Sequence, residues 1–538
     1  MSELCKICAN ELTGQSLEQH IIDHHAGHSD SVQLAYPGLY EQLFNGDQLA
    51  TDSPVTTEGG TAERANSDTT DRPVESPSTQ TLDRGTAKKW LFIGVGGAGN
   101  HILDSILMRR DTLTESNDPL AQVWQSGIAD YLNLNTNRSE VFETYYARVD
   151  KEYTPESLVS NCMIGHQEHA YSGAGRDWSR AEQWAESDFA DESNAFVERW
   201  DIDPRRIGGA QAIMLLHSVT KGTGCGATPV LAEEIRDLLT DGSPGQTLGG
   251  DKPILSSVVL PSENEFGESE MVRGVIGMAR LARSVDGIIP FDNAALDRIR
   301  SDLAIDINQQ WLQTYNPPQY EQINRLLVSF FEGFTMSSTP ISYDATSTQR
   351  IHGDMFDVPD SIRPAKQKYP FDTDLDFEPA VVMVPVLGRH AEPQERSDLD
   401  TLLRSTLLQG RFIDFDPSTS WGGTFMVYGP ERKMEQIEPL LNSNEMRTML
   451  GGEDFLDREN VGPGESIDIY VDQLVVPHVD SVYLWGLIWN PRLPSVERMH
   501  NHAEDLVNNS ESRQAKALEE NWHLIEPLFG HLGRENMG

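Results

Sequence analysis

The sequence predicts an α/β protein: a mostly parallel sheet with helices on both faces, followed by a second α/β domain. Three observations predict it. Short apolar runs of strand length alternate with stretches of helical periodicity. Two of these runs lead straight into glycine-rich turns and then helices. A strongly amphipathic segment after Pro317 and Pro318 reads as a long helix between the two domains.

Taken in order, the run at 90–93 is a buried strand, 94–99 a glycine turn and 101–108 a helix. The runs 129–137, 212–220, 253–261 and 285–293 repeat the pattern with helical segments between them, as a parallel sheet covered on both faces requires. In "KGTGCGATPVLAEEI" (221–235) a second glycine turn precedes a helix that Pro229 is expected to open. After a polar, Pro-rich stretch to about 378 come strands near 380–388, 424–429, 467–474 and 481–489. Helices fall near 399–408 and 433–449, and charged helices from about 495.

The N-terminal stretch is separate. Cys5 and Cys8 have metal-knuckle spacing, and His20 and His24 lie one helical turn apart, a donor set that suits tetrahedral Zn2+. His25 can replace His24, and His28 is a weaker substitute. The segment has no basic helix, so protein contact is expected rather than DNA reading. From about 46 to 86 the chain is Thr, Ser, Asp, Glu, Gly and Pro with almost no apolar residues, and is expected to be a disordered tether. The expected divisions are a zinc-finger-like module at 1–28, an acidic linker at 29–86, a nucleotide-binding domain at 87–315, a central helix at 316–340, a C-terminal α/β domain at 341–494 and a helical acidic tail at 495–538.

The chain has 538 residues and a formal net charge of −42, with the acids spread along its length. Such a surface disfavours nucleic acid and stays dispersed when salt screens charge, so a salt-loving source is expected. Four cysteines make no disulfide framework and point to a reducing compartment. The absence of an apolar run of membrane length, and of an apolar targeting core, predicts a cytoplasmic protein.

Glycines between a strand and a helix let a phosphate sit on the helix N-terminus. One such turn is a weak signal, and a dehydrogenase also needs an acid at the end of the second strand. Here that place holds "NLNTN" (133–137), amides and a hydroxyl, which disfavours an oxidoreductase. The turns "GVGGAGN" (94–100), "SGAGR" (172–176) and "KGTGCG" (221–226) together suit a di- or triphosphate cradled by backbone N–H groups, with Thr223 adding a hydroxyl.

These motifs resemble the tubulin/FtsZ superfamily of GTP-binding cytoskeletal proteins. "GVGGAGN" is similar to its first phosphate loop, "TKGTGCGATP" to its glycine-rich signature, "NLNTN" and "SGAGR" to two further loops. "DNAAL" (292–296) and "YEQIN" (320–324) are similar to the elements whose Asn residues and aromatic ring hold guanine. "PSENEFGESE" (261–270) is closest to the archaeal CetZ branch. The resemblance covers about 88–490 and implies a tubulin/FtsZ-like Rossmann-type GTPase fold with a long central helix. It implies GTP/GDP and Mg2+ as ligands, with contacts from Gly94, Gly96, Gly97, Ala98, Gly99, Asn100, Asn135, Gly173, Ala174, Gly175, Gly222, Thr223, Gly224, Cys225 and Gly226. Glu265 is the implied ribose ligand, and Asn293, Tyr320 and Asn324 the implied base ligands. Tyr320 with Asn324 four residues on shares one helix face.

The departures are specific. Thr220 and Lys221 replace two signature glycines, and Lys221 can touch a phosphate or point to solvent. Arg176 stands where Gly or Asn is usual. The family's hydrolysis uses acids supplied by the next subunit. At "SYDATST" (342–348) Asp344 fills the first acidic place and Ser347 the second, which predicts slow hydrolysis. The expected function is a GTP-binding protein of a halophilic archaeon that assembles head to tail into filaments serving cell shape or division-related organisation, its finger recruiting a protein partner. The alternative is a non-polymerising, GTP-binding regulatory scaffold.

Overall fold

Side chains of Trp90–Val95 alternate between two cores, and this alternation organises the fold. Leu91, Ile93 and Val95 face one apolar cluster, and Trp90 and Phe92 the other. In the computed structural model the described residues are 3–4, 11–12, 90–165, 172–191, 200, 210, 212–240, 252–260, 267–299, 301–338, 349–352, 379–440, 468–476 and 479–532. The chain divides into two units, 1–81 and 82–538. In the first, strands β1 (Glu3–Leu4) and β2 (Glu11–Leu12) pair antiparallel. The candidate ligands Cys5, Cys8, His20 and His24 and the tether at 46–86 lie outside the described residues.

The second unit carries β3 (Trp90–Val95), α1 (Gly96–Glu115), α2 (Leu120–Gly127), β4 (Ile128–Leu134), α3 (Arg138–Phe142), α4 (Pro155–Cys162), α5 (Trp178–Asp191), β5 (Ala212–Ser218), α6 (Gly222–Thr240), β6 (Ile254–Leu260), α7 (Glu268–Ser284), β7 (Gly287–Asp292) and α8 (Asn293–Leu296). After α9 (Gln309–Tyr315) and α10 (Glu321–Ser338) come β8 (Gln349–His352), β9 (Val381–His390), α11 (Arg396–Gln409), β10 (Gly422–Gly429), α12 (Glu431–Ile437), β11 (Asp468–Val475), β12 (Val482–Trp489), α13 (Pro494–Asn509) and α14 (Arg513–Leu532).

One ten-stranded sheet runs in the order β4-β3-β5-β6-β7-β9-β12-β10-β11-β8. Its first half is parallel. A short parallel register, Gly287↔Val381 and Ile288↔Val382, joins it to a second half that is mostly antiparallel. Helix α10 supplies the aromatic core between them. Phe330 stacks on Trp485 at 5.5 Å and meets Phe291 and Phe412, while Phe334 packs on Trp90 at 4.6 Å. Trp485 Nε1 donates to the Phe330 carbonyl at 3.0 Å, so the indole is buried without an orphan donor. Removing such a ring costs about 3–5 kcal/mol.

Four features depart from the sequence expectation. Helix α1 starts at Gly96, so the glycines are its first turn, not a loop before it. Helix α6 likewise starts at Gly222, and Pro229 lies inside it. Neighbouring backbone crowds both first turns: a Cβ at Gly99 would stand 1.9 Å from the Leu216 carbonyl oxygen, and one at Gly222 2.9 Å from Arg176 Cα. Strand β8 falls in the polar, Pro-rich stretch, where pairing with β11 supplies what local pattern does not. The helix expected at 433–449 is described as Glu431–Ile437 followed by a 3-10 turn, Glu438–Leu440; residues 441–449 lie outside the described set. Among the described residues, no helix is long and apolar enough to cross a membrane.

Candidate functional site

Two helix N-termini face each other across the C-terminal ends of β3, β4 and β5. Gly96 opens α1 at φ +72°, the left-handed region, and a Cβ there would lie 3.1 Å from the Gly224 nitrogen and 3.2 Å from Thr223 Cβ. Only glycine allows both the conformation and the approach. No side chain caps α1, so its first-turn N–H groups remain available to an anion, reinforced by the helix dipole. The Thr136 and Thr223 hydroxyls are 2.7 Å apart, and Ala174 N donates to Thr136 Oγ1 at 3.0 Å while Gly173 N donates to its carbonyl. These bonds draw the end of β4, the turn at 172–176 and the start of α6 onto one cleft of about 510 Å³, a volume within the range of small-ligand sites.

The charges in the cleft are few. Glu140 is its one acid among the described residues. The carboxylate accepts from Asn135 Nδ2 and Asn137 Nδ2, each at 3.0 Å. Arg176, at φ +63°, and the exposed Lys221 supply positive charge. The Arg176 guanidinium also stands 3.9 Å from Glu270. His101 lines the cleft one turn into α1. Burial lowers its pKa, opposed by the nearby Glu140 charge, so the ring is neutral near pH 7.

The far end of the cleft is shaped by Asn293, Tyr320 and Asn324, with Ile323 and Leu327 from α10 and Val259 and Leu260 from β6 as apolar walls. Asn293 is presented by a capped turn: buried Asp292 accepts from Ala294 N at 2.8 Å. Tyr320 closes a 3-10 turn, Pro318–Tyr320, whose prolines preset its geometry. Asn324 is 5% exposed, and its Nδ2 donates to Asn316 Oδ1 at 2.6 Å.

Of the residues expected here, Gly96, Gly97, Ala98, Asn135, Gly173, Ala174, Gly175, Gly222, Thr223, Gly224, Asn293, Tyr320 and Asn324 line the cleft. Gly94, Gly99, Asn100, Cys225 and Gly226 do not. Asn100 is buried, its amide nitrogen oriented to donate to the Gly94 and Gly96 carbonyls at 3.1 Å. Cys225 points away from the cleft, its Sγ 3.4 Å from the Arg273 carbonyl, and burial pushes its thiol up to about 12. Glu265 and Asp344 lie outside the described residues. Sequence reasoning missed His101, Thr136, Asn137, Glu140 and the apolar walls. Thr136 and Asn137 stand in the quoted "NLNTN" run, and Ile323 and Leu327 share the helical face of Tyr320 and Asn324. No sequence signal marked Glu140.

Residues 89–301 match the model described as the Tubulin/FtsZ family, GTPase domain. The chain is also similar in structure to CetZ1 from Haloferax volcanii, solved as a GDP-bound monomer, with a TM-score of 0.52 and 16% identity over 78% of this chain and 99% of that one. CetZ2 from Haloferax volcanii, solved as a GTPgS-bound protofilament, gives a TM-score of 0.51 and 15% identity over 79% of this chain and all of the other. At this identity the likeness establishes the α/β tubulin/FtsZ fold.

Proposed function

We propose, taking the tubulin/FtsZ GTPase-domain match over 89–301 as premise, that the protein binds GTP in this cleft and assembles head to tail into filaments that hydrolyse it slowly at the subunit interface. The observation that carries the reading is the meeting of the first turns of α1 and α6 at one end of a cleft whose other end holds Asn293, Tyr320 and Asn324. Backbone N–H groups, two threonine hydroxyls, Lys221 and Arg176 suit a triphosphate, and a tyrosine ring with two carboxamides suits a guanine. Mg2+ commonly keeps several waters and one or two carboxylates beside the phosphates. Glu140 fits that role, and the ion neutralises phosphate charge. Glu265 is the proposed ribose ligand.

Asp344 is proposed to reach the nucleotide of the next subunit and polarise the attacking water, with Ser347 leaving the pair incomplete. The same polar, Pro-rich stretch holds further candidates, Asp354, Asp357 and Asp360, at Asp-x-x-Asp spacing. The head-to-tail interface is heterologous, so it propagates as an open filament. The structure solved for CetZ2 is a protofilament, which supports this reading. We also assign Zn2+ to Cys5, Cys8, His20 and His24 as a partner-recruiting module.

Sedimentation in high KCl with Mg2+, comparing GTP, GDP and no nucleotide, tests the assembly. Pelleting with GTP alone is the expected result. Phosphate release is expected to fall about a hundredfold in Asp344→Ala with GTP affinity retained; the same loss in Asp354→Ala, Asp357→Ala or Asp360→Ala instead moves the catalytic assignment there. GTP binding with no pellet under any condition favours the scaffold that recruits a partner without polymerising.

A further inference from the structure

We propose that Asn316, buried behind the cleft, is a positioning residue that sets base selectivity by locking the amide of Asn324 in one orientation, at the end of a directional hydrogen-bond relay rooted in helix α1. The inference rests on the reading above that Asn324 meets the base.

The relay begins at a group that can only accept. The His101 carbonyl takes the Ser105 hydroxyl proton at 2.8 Å. With that proton committed, Ser105 Oγ accepts from Asn316 Nδ2 at 3.2 Å. The approach of the same hydroxyl to Asn316 Oδ1, at 3.5 Å, is too long to compete. Asn316 therefore presents its Oδ1 to Asn324, which donates from Nδ2 at 2.6 Å. An inverted Asn324 amide would set two carbonyl oxygens 2.6 Å apart in a site where Ser105, Asn316 and Asn324 are 0%, 4% and 5% exposed. Water cannot relieve that contact, so inversion leaves a buried acceptor unpaired.

The backbone holds Asn316 in place. It ends α9, its N–H donating to the Leu312 carbonyl at 2.9 Å. Pro317 after it restricts it to the extended region, where it sits at φ −110°, ψ 137°. The opposite end of α9 is tied to α1 by Asn308 N donating to Thr112 Oγ1 at 3.0 Å. The helix that offers its first turn to the phosphates is thus also the helix from which the base-reading amide takes its direction.

The consequence is chemical. With one Nδ2 hydrogen held by Asn316 the amide cannot turn over, and the acceptor it offers a base is Oδ1 on its other side. Guanine presents donors on that edge, N1–H and the 2-amino group. Hypoxanthine retains N1–H alone, and adenine presents a lone pair at N1, placing acceptor against acceptor. Sites that pair a substrate donor in this way reject the analogue lacking it by factors of about 10⁴.

The test is isothermal titration of the full chain with GTP, ITP and ATP in KCl and Mg2+, for wild type, Asn324→Ala, Asn316→Leu and Ser105→Ala. The readout is the ratio of GTP to ATP affinity within each protein, which partial unfolding leaves unchanged. The wild type is expected to prefer GTP over ITP over ATP. Asn316→Leu, similar in volume but unable to accept, is expected to reduce the GTP-to-ATP ratio by about tenfold or more. Ser105→Ala, a smaller change that tests the relay even if Asn316→Leu does not fold, is expected to reduce it in the same direction. If Asn324→Ala leaves the ratio at its wild-type value, the base-reading assignment of Asn324 fails, and the relay with it. If Asn324→Ala collapses the ratio while Asn316→Leu and Ser105→Ala keep it, Asn324 reads the base and the relay alone is overturned.

Discussion

Asp104, fully buried in α1, accepts the backbone N–H groups of Tyr145 and Tyr146 at 3.0 Å each, and so pins the turn that follows α3. Burial raises its pKa to about 7, with the Asp150 charge adding and the hydrogen bonds from Tyr146, Tyr145 and Asn133 opposing. The folded form thus holds the proton more tightly than the unfolded chain, whose value is 3.8. The stability this group contributes is full below pH 4 and is lost as pH rises towards 7. Across that window each unit of pH removes up to about 1.4 kcal/mol. Urea denaturation at pH 5 and pH 8 should show a steeper fall for wild type than for Asp104→Asn, whose side chain does not titrate. Parallel pH profiles would sink the assignment. Asp104 was not legible as special in the sequence, where it is one polar residue in an amphipathic helix; its role comes from a chain segment forty residues away.

Between elements, the decisive link joins α1 to the central helix α10. Arg109 and Glu332 form a two-pronged ion pair, Nε to Oε2 at 2.7 Å and Nη2 to Oε1 at 3.1 Å, with side chains only 12% and 10% exposed. Trp124 Nε1 donates to the same carboxylate at 3.2 Å, and Arg109 Nη1 to the Asp306 carbonyl at 3.0 Å. Removing one partner of such a pair strands a buried charge, at a cost of about 3–5 kcal/mol, while replacing both with apolar groups is often near neutral. Arg109→Met and Glu332→Leu should each lose stability in that range, and the double variant no more than the worse single one. Additive losses would mean that the pair is not coupled. Because α10 carries the cleft residues Ile323 and Asn324, this clamp also fixes their end of the cleft to the helix whose first turn, Gly96 and Gly97, lines the other.

At the scale of the whole molecule, charge dominates. A formal −42 with acids along the entire chain makes the compact state repel itself, and salt relieves that repulsion as the screening length falls from about 10 Å at 0.1 M to about 3 Å at 1 M. The thermal midpoint should therefore rise from 0.1 to 2 M KCl, by about 1 °C for each kcal/mol of repulsion relieved. An uncharged osmolyte of equal osmolarity should not reproduce the full rise. A midpoint indifferent to KCl would remove the electrostatic reading of the composition. The proposed head-to-tail association brings together two copies of a chain with a formal charge of −42, so it should weaken as KCl is diluted.

By itself the sequence determined what local periodicity and turn chemistry control. Trp90–Val95, Ala212–Ser218, Ile254–Leu260, Gly287–Asp292 and Val482–Trp489 are strands where apolar runs of strand length occur, and glycine turns mark where β3 and β5 hand over to helices. Tyr320 and Asn324 were legible through the resemblance carried by "YEQIN" (320–324), and both line the cleft. Tertiary structure alone decided the rest. Gly226 faces the Trp178 carbonyl and Cys225 the Arg273 carbonyl, not a ligand, because a glycine pattern cannot say which backbone it will meet. Strand β8 exists by pairing with β11 at the far edge of the sheet. The direction of the Asn324 amide is set through Asn316 and Ser105, residues 211 positions apart in the chain. Hydrogen-bond direction depends on which groups the fold brings together and buries, and that information is not local to any stretch of sequence.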